Sequence, residues 1–421
     1  MYDPFSKAFY RKNRQKLKGH LDKDSIALLF SNRKMPRNGD QFFPFRQNSD
    51  LFYLSGIEQE GSILVIEKET DYLFIEEPNS RTSLWEGNQL TRDQAENLSG
   101  IENIRWISQF DDIMEKLLRS KKKIGFNTDV KLNAAGLRSP DEVYLERFRS
   151  QYPFHGFFNL RSILSELRLR KEPEEIDAMQ KAISITGQAM NRIFKTLKPG
   201  ISEKELEAEI THEFMLRHSN GFAFEPIVAS GKNATVLHYN KNNDVCRDNE
   251  LLLLDFGAEY RNYAADITRT LPVNGRFTPR QKECYQAVLE VMEAVQKEIK
   301  PGITIKELND KVKEQLIEKH IQLGLYKRKD MENNENPIWK NYFPHGVSHF
   351  IGLDVHDYGD KSVILDKGMV ISWEPGIYIP EENMGIRIED DILVDTPPVN
   401  MSSGIPKEMK ELEELIQEVN K

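Results

Sequence analysis

Along the first part of the chain, short apolar runs alternate with stretches whose apolar positions recur at helical spacing. The runs at 25–30, 51–54, 62–66 and 71–75 are rich in Ile, Leu, Val, Phe and Tyr, which predicts strands. Positions 4–20 and 91–99 carry a helical pattern, the second opened by Thr91 with Asp93 in its first turn. The alternation predicts an α/β domain. From 158 to 175 it gives way to a charged segment in which Arg168, Arg170 and Lys171 face Glu172, Glu174 and Glu175. A domain boundary is placed there, giving stretches 1–160 and 161–421. Pro173 suits the first turn of a helix running to about 196. Capping boxes at Ser202/Glu205 and Thr304/Glu307 open helices reaching about 217 and 319. Thr278-Pro279 opens another, with Pro301-Gly302 expected to close it.

The second stretch repeats itself, a feature that outranks local pattern in reading a fold. Leu251 to Leu254 form an unbroken apolar run ended by Asp255 and Gly257, which reads as a buried strand delivering a carboxylate at its edge. Eleven residues on, Asp266 sits between Ala265 and Ile267. The run Met369 to Trp373 likewise ends in Glu374 with Gly376 two residues later, and Glu389 follows fifteen residues on, beside Asp391. Ahead of the two hairpins, Lys198-Pro-Gly-Ile-Ser-Glu-Lys-Glu-Leu206 returns as Lys300-Pro-Gly-Ile-Thr-Ile-Lys-Glu-Leu308. Two copies make one domain of two pseudo-symmetric halves rather than a solenoid. A single carboxylate at a strand end is most often a turn former. Four of them on facing apolar hairpins need partners or a metal, so Asp255, Asp266, Glu374 and Glu389 are expected at a shared centre.

Histidines complete the candidate chemistry. His238 follows a Ser230-Gly-Lys-Asn turn, and His345, His349 and His356 fall within twelve residues just ahead of the strand that ends in Glu374. One imidazole with four carboxylates is a mainly hard donor set, suited to Mn2+ and tolerant of Co2+, Zn2+ or Fe2+. Five ligands exceed what one catalytic ion with open positions needs. Two divalent ions sharing bridging carboxylates is the economical reading, with spare histidines steadying substrate and moving protons. The amino-terminal stretch holds only His20 and His155 and no such cluster. Its segments 45–54 and 83–87 stand out; Trp85, in the second, is expected in a core.

Composition narrows the setting. A net charge of −9 with scattered Lys and Arg argues against a nucleic-acid partner. Cys246 and Cys284 are too few for a disulfide framework and lack metal-ligand spacing. The absence of an 18-residue apolar run and of signal-peptide regions gives an expectation of a cytoplasmic protein without a membrane partner.

At these residues the chain resembles the pita-bread metallopeptidases, and within them the Xaa-Pro aminopeptidases (aminopeptidase P). The resemblance extends through Phe45-Arg-Gln-Asn-Ser-Asp50 in a creatinase-type amino-terminal domain and through the junction 168–176. It implies an α/β amino-terminal domain followed by an α+β pita-bread domain with a pseudo-two-fold repeat. By the family pattern Asp255 would hold one metal, His349 and Glu374 the other, and Asp266 and Glu389 would bridge both. A hydroxide between the ions would be the nucleophile and Glu374 would accept its proton. His238 and His356 match positions contacting substrate around the scissile bond, and His345, Tyr378 and Arg387 match those shaping a proline pocket. The implied substrates are peptides with an Xaa-Pro amino terminus, and the implied assembly a homodimer or homotetramer. One departure is the run from Glu374 to Glu389, shorter than in bacterial aminopeptidase P, which is expected to leave the side beyond proline more open. Competing readings are a prolidase restricted to Xaa-Pro dipeptides and, from another class, an inactive pita-bread binding module. Such modules are marked by lost ligands, and none is lost here. Methionine aminopeptidases lack a comparable amino-terminal domain, and creatinase-like amidinohydrolases lack the metal set.

Overall fold

The structure is a computed structural model that describes residues 4–128, 138–331 and 336–419. The chain divides between Arg168 and Leu169 into two compact units. The first is built on a six-stranded mixed sheet, in the order Asn103–Trp106, Asp71–Ile75, Ile63–Glu67, Ser25–Phe30, Lys123–Phe126, Gly156–Asn159. Its core joins Ile26, Leu28, Phe30, Val65 and Phe74 to Phe110, Met114 and Leu118 of the helix Phe110–Leu118 and to Phe148 of Pro140–Gln151.

Two expectations fail in this unit. The apolar run 51–54 is not a strand but part of the helix Ser49–Ser55. The Asn48 side chain accepts from the backbone N–H groups of Asp50 (3.0 Å) and Leu51 (3.1 Å), which caps the helix. Gly56, at φ 69°, ends it. Every residue from Asp50 to Ser55 is buried, so no polar face was left to betray the helical period. Trp85 is 80 % exposed, on the short helix Ser80–Glu86, rather than in a core. At the junction, the basic residues reach distant acids: Arg168 pairs with Asp50 at 2.8 Å, Arg170 with Asp366 at 2.8 Å and Lys171 with Asp357 at 3.0 Å.

The second unit carries the repeat. In its first half, Leu251–Phe256 lies between Ile227–Ser230 and Ile267–Pro272, antiparallel to both, with Asp255 opposite Thr268. In its second half, Val370–Trp373 pairs antiparallel with Asp390–Leu393, which in turn pairs with Val399–Asn400. Each half inserts a small hairpin between its two acids: Ala258–Tyr260 with Tyr263–Ala264 between Asp255 and Asp266, and Gly376–Ile379 with Met384–Arg387 between Glu374 and Glu389. A glycine stands at the base of each. A Cβ on Gly257 would fall onto the Ala265 carbonyl, and one on Gly376 onto that of Ile386.

The helices fall into the same register. Pro173–Thr196 starts at the expected proline. Glu203–Leu216 and Ile305–Gln322 open with complete capping boxes at Ser202 and Thr304. The turns before them match too: Gly200 N–H donates to the Cys246 carbonyl (2.8 Å), and Gly302 N–H to that of Leu365 (2.9 Å). Pro279–Gln296 stops short of Pro301-Gly302, which instead forms the turn into the next helix. Cys246 and Cys284 are free and buried. No helix among the described residues is long and apolar enough to cross a membrane.

Candidate metal centre and active site

A cavity of about 460 Å³ opens in the second unit, lined by Asp255, Asp266, His349, Glu374 and Glu389 together with His238, His345, His356 and Arg387. Nine of the ten residues singled out from the sequence thus face one space. The tenth, Tyr378, is 2 % exposed and stands behind it.

The repeat explains the convergence. Each half ends a strand on an acid, turns through a hairpin and returns a second acid. Asp266 and Glu389 each lie just ahead of the returning strand. The tie between the halves runs through Thr268: its Oγ1 donates to Glu389 Oε2 (2.6 Å), its carbonyl accepts from Glu389 N–H (3.0 Å), and Arg387 Nε donates to its Oγ1 (3.1 Å). Arg387 Nη2 donates to Asp255 Oδ2 at 2.6 Å. Behind this layer, Arg269 donates to the Glu389 carbonyl (2.6 Å) and to Asp390 Oδ1 (2.7 Å), an ion pair with no exposure on either side.

The histidine tautomers follow from their bonds. His349 Nδ1–H donates to the Phe350 carbonyl (3.0 Å), which leaves its Nε2 lone pair facing Asp266 Oδ2 at 3.4 Å and Glu374 Oε1 at 4.0 Å. His345 Nδ1–H donates to the Gly346 carbonyl (2.7 Å), so its Nε2 accepts from Tyr378 O–H (2.7 Å), and Tyr378 in turn accepts from Arg387 Nη1 (2.7 Å). Burial, reinforced by Arg387, holds His345 down at about 3, so it is neutral in this chain of bonds. The His356 ring stands edge-on to His349, centroids 4.4 Å apart. Its neighbour Asp357 is fixed by the buried pair with Lys171.

Electrostatically the centre is a set of anions short of cations. Burial raises Asp266 and Glu389 well above the carboxylate range, with repulsion from Asp255 adding to it at Asp266 and repulsion from Asp266 at Glu389. Burial pushes Glu374 up to about 7 although His349 and Arg387 oppose the rise. Asp391, which accepts from Asp266 N–H at 3.1 Å, is pushed up to about 8, again by burial. Asp255 Oδ1 and Asp266 Oδ1 are buried without a hydrogen-bond partner among the described residues. Oxygen and nitrogen atoms of Asp266, His349 and Glu389 lie within 4.8 Å of one another. Orphaned carboxylate oxygens beside a lone imidazole nitrogen fit a hard divalent cation.

The comparisons agree with this chemistry. Residues 177–396 match the model of metallopeptidase family M24, and residues 10–125 that of the aminopeptidase P N-terminal domain. The chain is 34 % identical to the Xaa-Pro aminopeptidase of Escherichia coli (strain K12), over 98 % of each chain. The chain belongs to metallopeptidase family M24. It is also 32 % identical to Xaa-Pro aminopeptidase 3 of Homo sapiens, over 96 % of this chain and 83 % of that one. Among solved structures, a putative aminopeptidase P from Bacillus anthracis superposes with a TM-score of 0.93 at 34 % identity, covering 98 % and 99 % of the two chains. Zinc-substituted E. coli aminopeptidase P in complex with product does so at 0.91 and 32 %, covering both chains fully. Along its chain the M24 metallopeptidase therefore carries an aminopeptidase P-type amino-terminal domain followed by a domain of pita-bread fold, is a metal-dependent aminopeptidase, and works with divalent ions.

Several residues that build the site were not singled out from the sequence. Thr268, Asp390 and Asp391 sit one or two positions from singled-out acids, so their proximity was a signal. Phe224, Glu225, Leu237, Asn240, Val355 and Lys361 also line the cavity. Nothing local marked them.

Proposed function

We propose that this M24 metallopeptidase removes the first residue from peptides that carry proline second. Asp255, Asp266, His349, Glu374 and Glu389 would hold two divalent ions, with Asp266 and Glu389 shared between them. The oxygen-rich donor set favours Mn2+ over softer choices. Bound there, the ions would supply an activated water and a Lewis acid for the scissile carbonyl. The observation that carries the reading is the pair of buried oxygens on Asp255 and Asp266 that find no hydrogen-bond partner among the described residues, amid raised carboxylates, a site that asks for cations.

The chain's own residues do the remaining work. Glu374, whose Oε1 stands 4.0 Å from His349 Nε2 on the cavity wall, is read as taking up a proton from the attacking water and passing it on. His238 and His356, which line the same cavity, are read as serving catalysis without holding metal, positioning the scissile bond and handling protons as the transition state forms. The bonded series Arg387–Tyr378–His345 gives one wall a fixed shape, as a pocket for the rigid proline ring requires.

Metal analysis of Asp266→Ala and Glu389→Ala tests the assignment. Each substitution is expected to lose both ions, because each carboxylate is read as shared. Full metal content with normal activity in either variant would overturn it.

A further inference from the structure

Among the described residues, no hydrogen bond or ion pair holds the His238 imidazole, which is exposed in the cavity and close enough to oppose charge on His345. Its position is therefore set by its backbone. That backbone belongs to the segment 230–244, most of which lies outside regular secondary structure. Buried Asn242 ties the far end of this segment to Pro226, Val228 and Glu207, and five further bonds from the segment converge on one side chain from elsewhere.

Glu203, the first residue of the helix Glu203–Leu216, is fully buried. Its Oε1 accepts from Ser230 N–H (2.8 Å), Ser230 Oγ–H (2.9 Å) and Asn233 Nδ2–H (3.0 Å). Its Oε2 accepts from Tyr239 O–H (2.8 Å) and Asp244 N–H (2.8 Å). The link is reciprocal, since Glu203 N–H donates to the Asp244 carbonyl at 2.9 Å. A buried carboxylate without a cation is costly unless donors surround it. Here all five donors come from the segment that presents His238: two from its first residue, one from Asn233, one from Tyr239 directly after the histidine and one from its last residue.

We propose that Glu203 is a positioning residue for His238: its carboxylate gathers the 230–244 segment and so aims the imidazole into the cavity. The proposal rests on the aminopeptidase reading for its kinetic consequence, not for its structural one. Glu203→Gln keeps the volume but turns one acceptor oxygen into a donor facing donors. Whichever way the amide is turned, at least one backbone N–H, that of Ser230 or that of Asp244, loses its acceptor.

The test is a double-mutant cycle on the metal-loaded full chain. Glu203→Gln is expected to lower kcat at least about tenfold, with KM within about twofold and metal content unchanged, as for a group acting on the transition state alone. In a His238→Ala background the same substitution should cost less than about twofold, because the two act through one side chain. Equal losses in both backgrounds, or retained kcat, would overturn the proposal. Should Glu203→Gln fail to fold, Tyr239→Phe removes one of the five bonds and carries the same cycle, with a loss of about threefold expected. A second readout does not depend on activity. With histidine isotopically labelled, the ring resonance identified by its loss in His238→Ala should shift or broaden in Glu203→Gln. An unmoved resonance would also overturn the proposal. Failure of the aminopeptidase reading would appear instead as an inactive unmodified protein, with the resonance test still decisive.

Discussion

Stripping the metal should make the stability of this enzyme depend on the charge of Glu374. Burial raises that carboxyl from the ordinary 4.5 to about 7 in the ion-free fold. A group raised on folding contributes stability that is fully present below the unfolded value and is lost as pH rises through the folded one. Between about pH 5 and about pH 8 the ion-free protein should therefore lose at most about 2.5 kcal/mol through Glu374. This is an upper figure because 18 % of the side chain remains exposed. His320 pulls the other way over part of the window, since burial lowers it to about 4 and it destabilises the fold as pH falls. The comparison with Glu374→Gln cancels that contribution, because the amide cannot ionise. For a unit of this size about 1 kcal/mol moves Tm by roughly 2–4 °C. Thermal unfolding in excess chelator should thus show the Glu374→Gln advantage growing by about 5–10 °C from pH 5 to pH 8. In saturating Mn2+ the sign should reverse, because only the carboxylate is a ligand. An advantage of the same size at both pH values in chelator would refute the reasoning, since it would mean that the charge on Glu374 is already compensated without metal.

Two other substitutions separate roles within the site. His356→Ala should retain its metals while kcat falls about 10²–10⁴-fold, checked by metal analysis beside steady-state kinetics; metal loss would move His356 into the ligand set. Arg269→Met should destabilise the protein by about 3 kcal/mol in chemical denaturation, because Asp390 and the Glu389 carbonyl lose their buried donor. Unchanged stability would mean that Lys407, 2.7 Å from Asp390, suffices to compensate that charge.

Much of the second unit could be read from the chain because its signals are local and occur twice. Acid, glycine, hairpin and acid recur with the same steric reason at Gly257 and Gly376, and the capping boxes at Ser202 and Thr304 mark equivalent helices. What escaped notice depends on distant partners. Glu203 looks like an ordinary first-turn acid, and its donors lie 27 to 41 residues further on. Arg269 reads as a polar residue in a strand until Asp390, 121 positions away, is folded against it. The helix Ser49–Ser55 was hidden because burial on all sides removes the alternation that distinguishes helix from strand. Trp85 shows the converse: a large aromatic residue carries a strong prior for the core that a short exposed helix overrides.

The measurement that tests the central claim most directly is product analysis of a peptide panel, varying only length and the second residue, with and without chelator. Free first residue should be released from Xaa-Pro-Yaa and longer peptides at least as fast as from Xaa-Pro, should not be released when alanine stands second, and should stop on chelation and resume with Mn2+. Release that survives chelation, or that proceeds equally with alanine second, would contradict a metal-dependent enzyme selecting proline. Cleavage confined to dipeptides would replace the aminopeptidase with a prolidase.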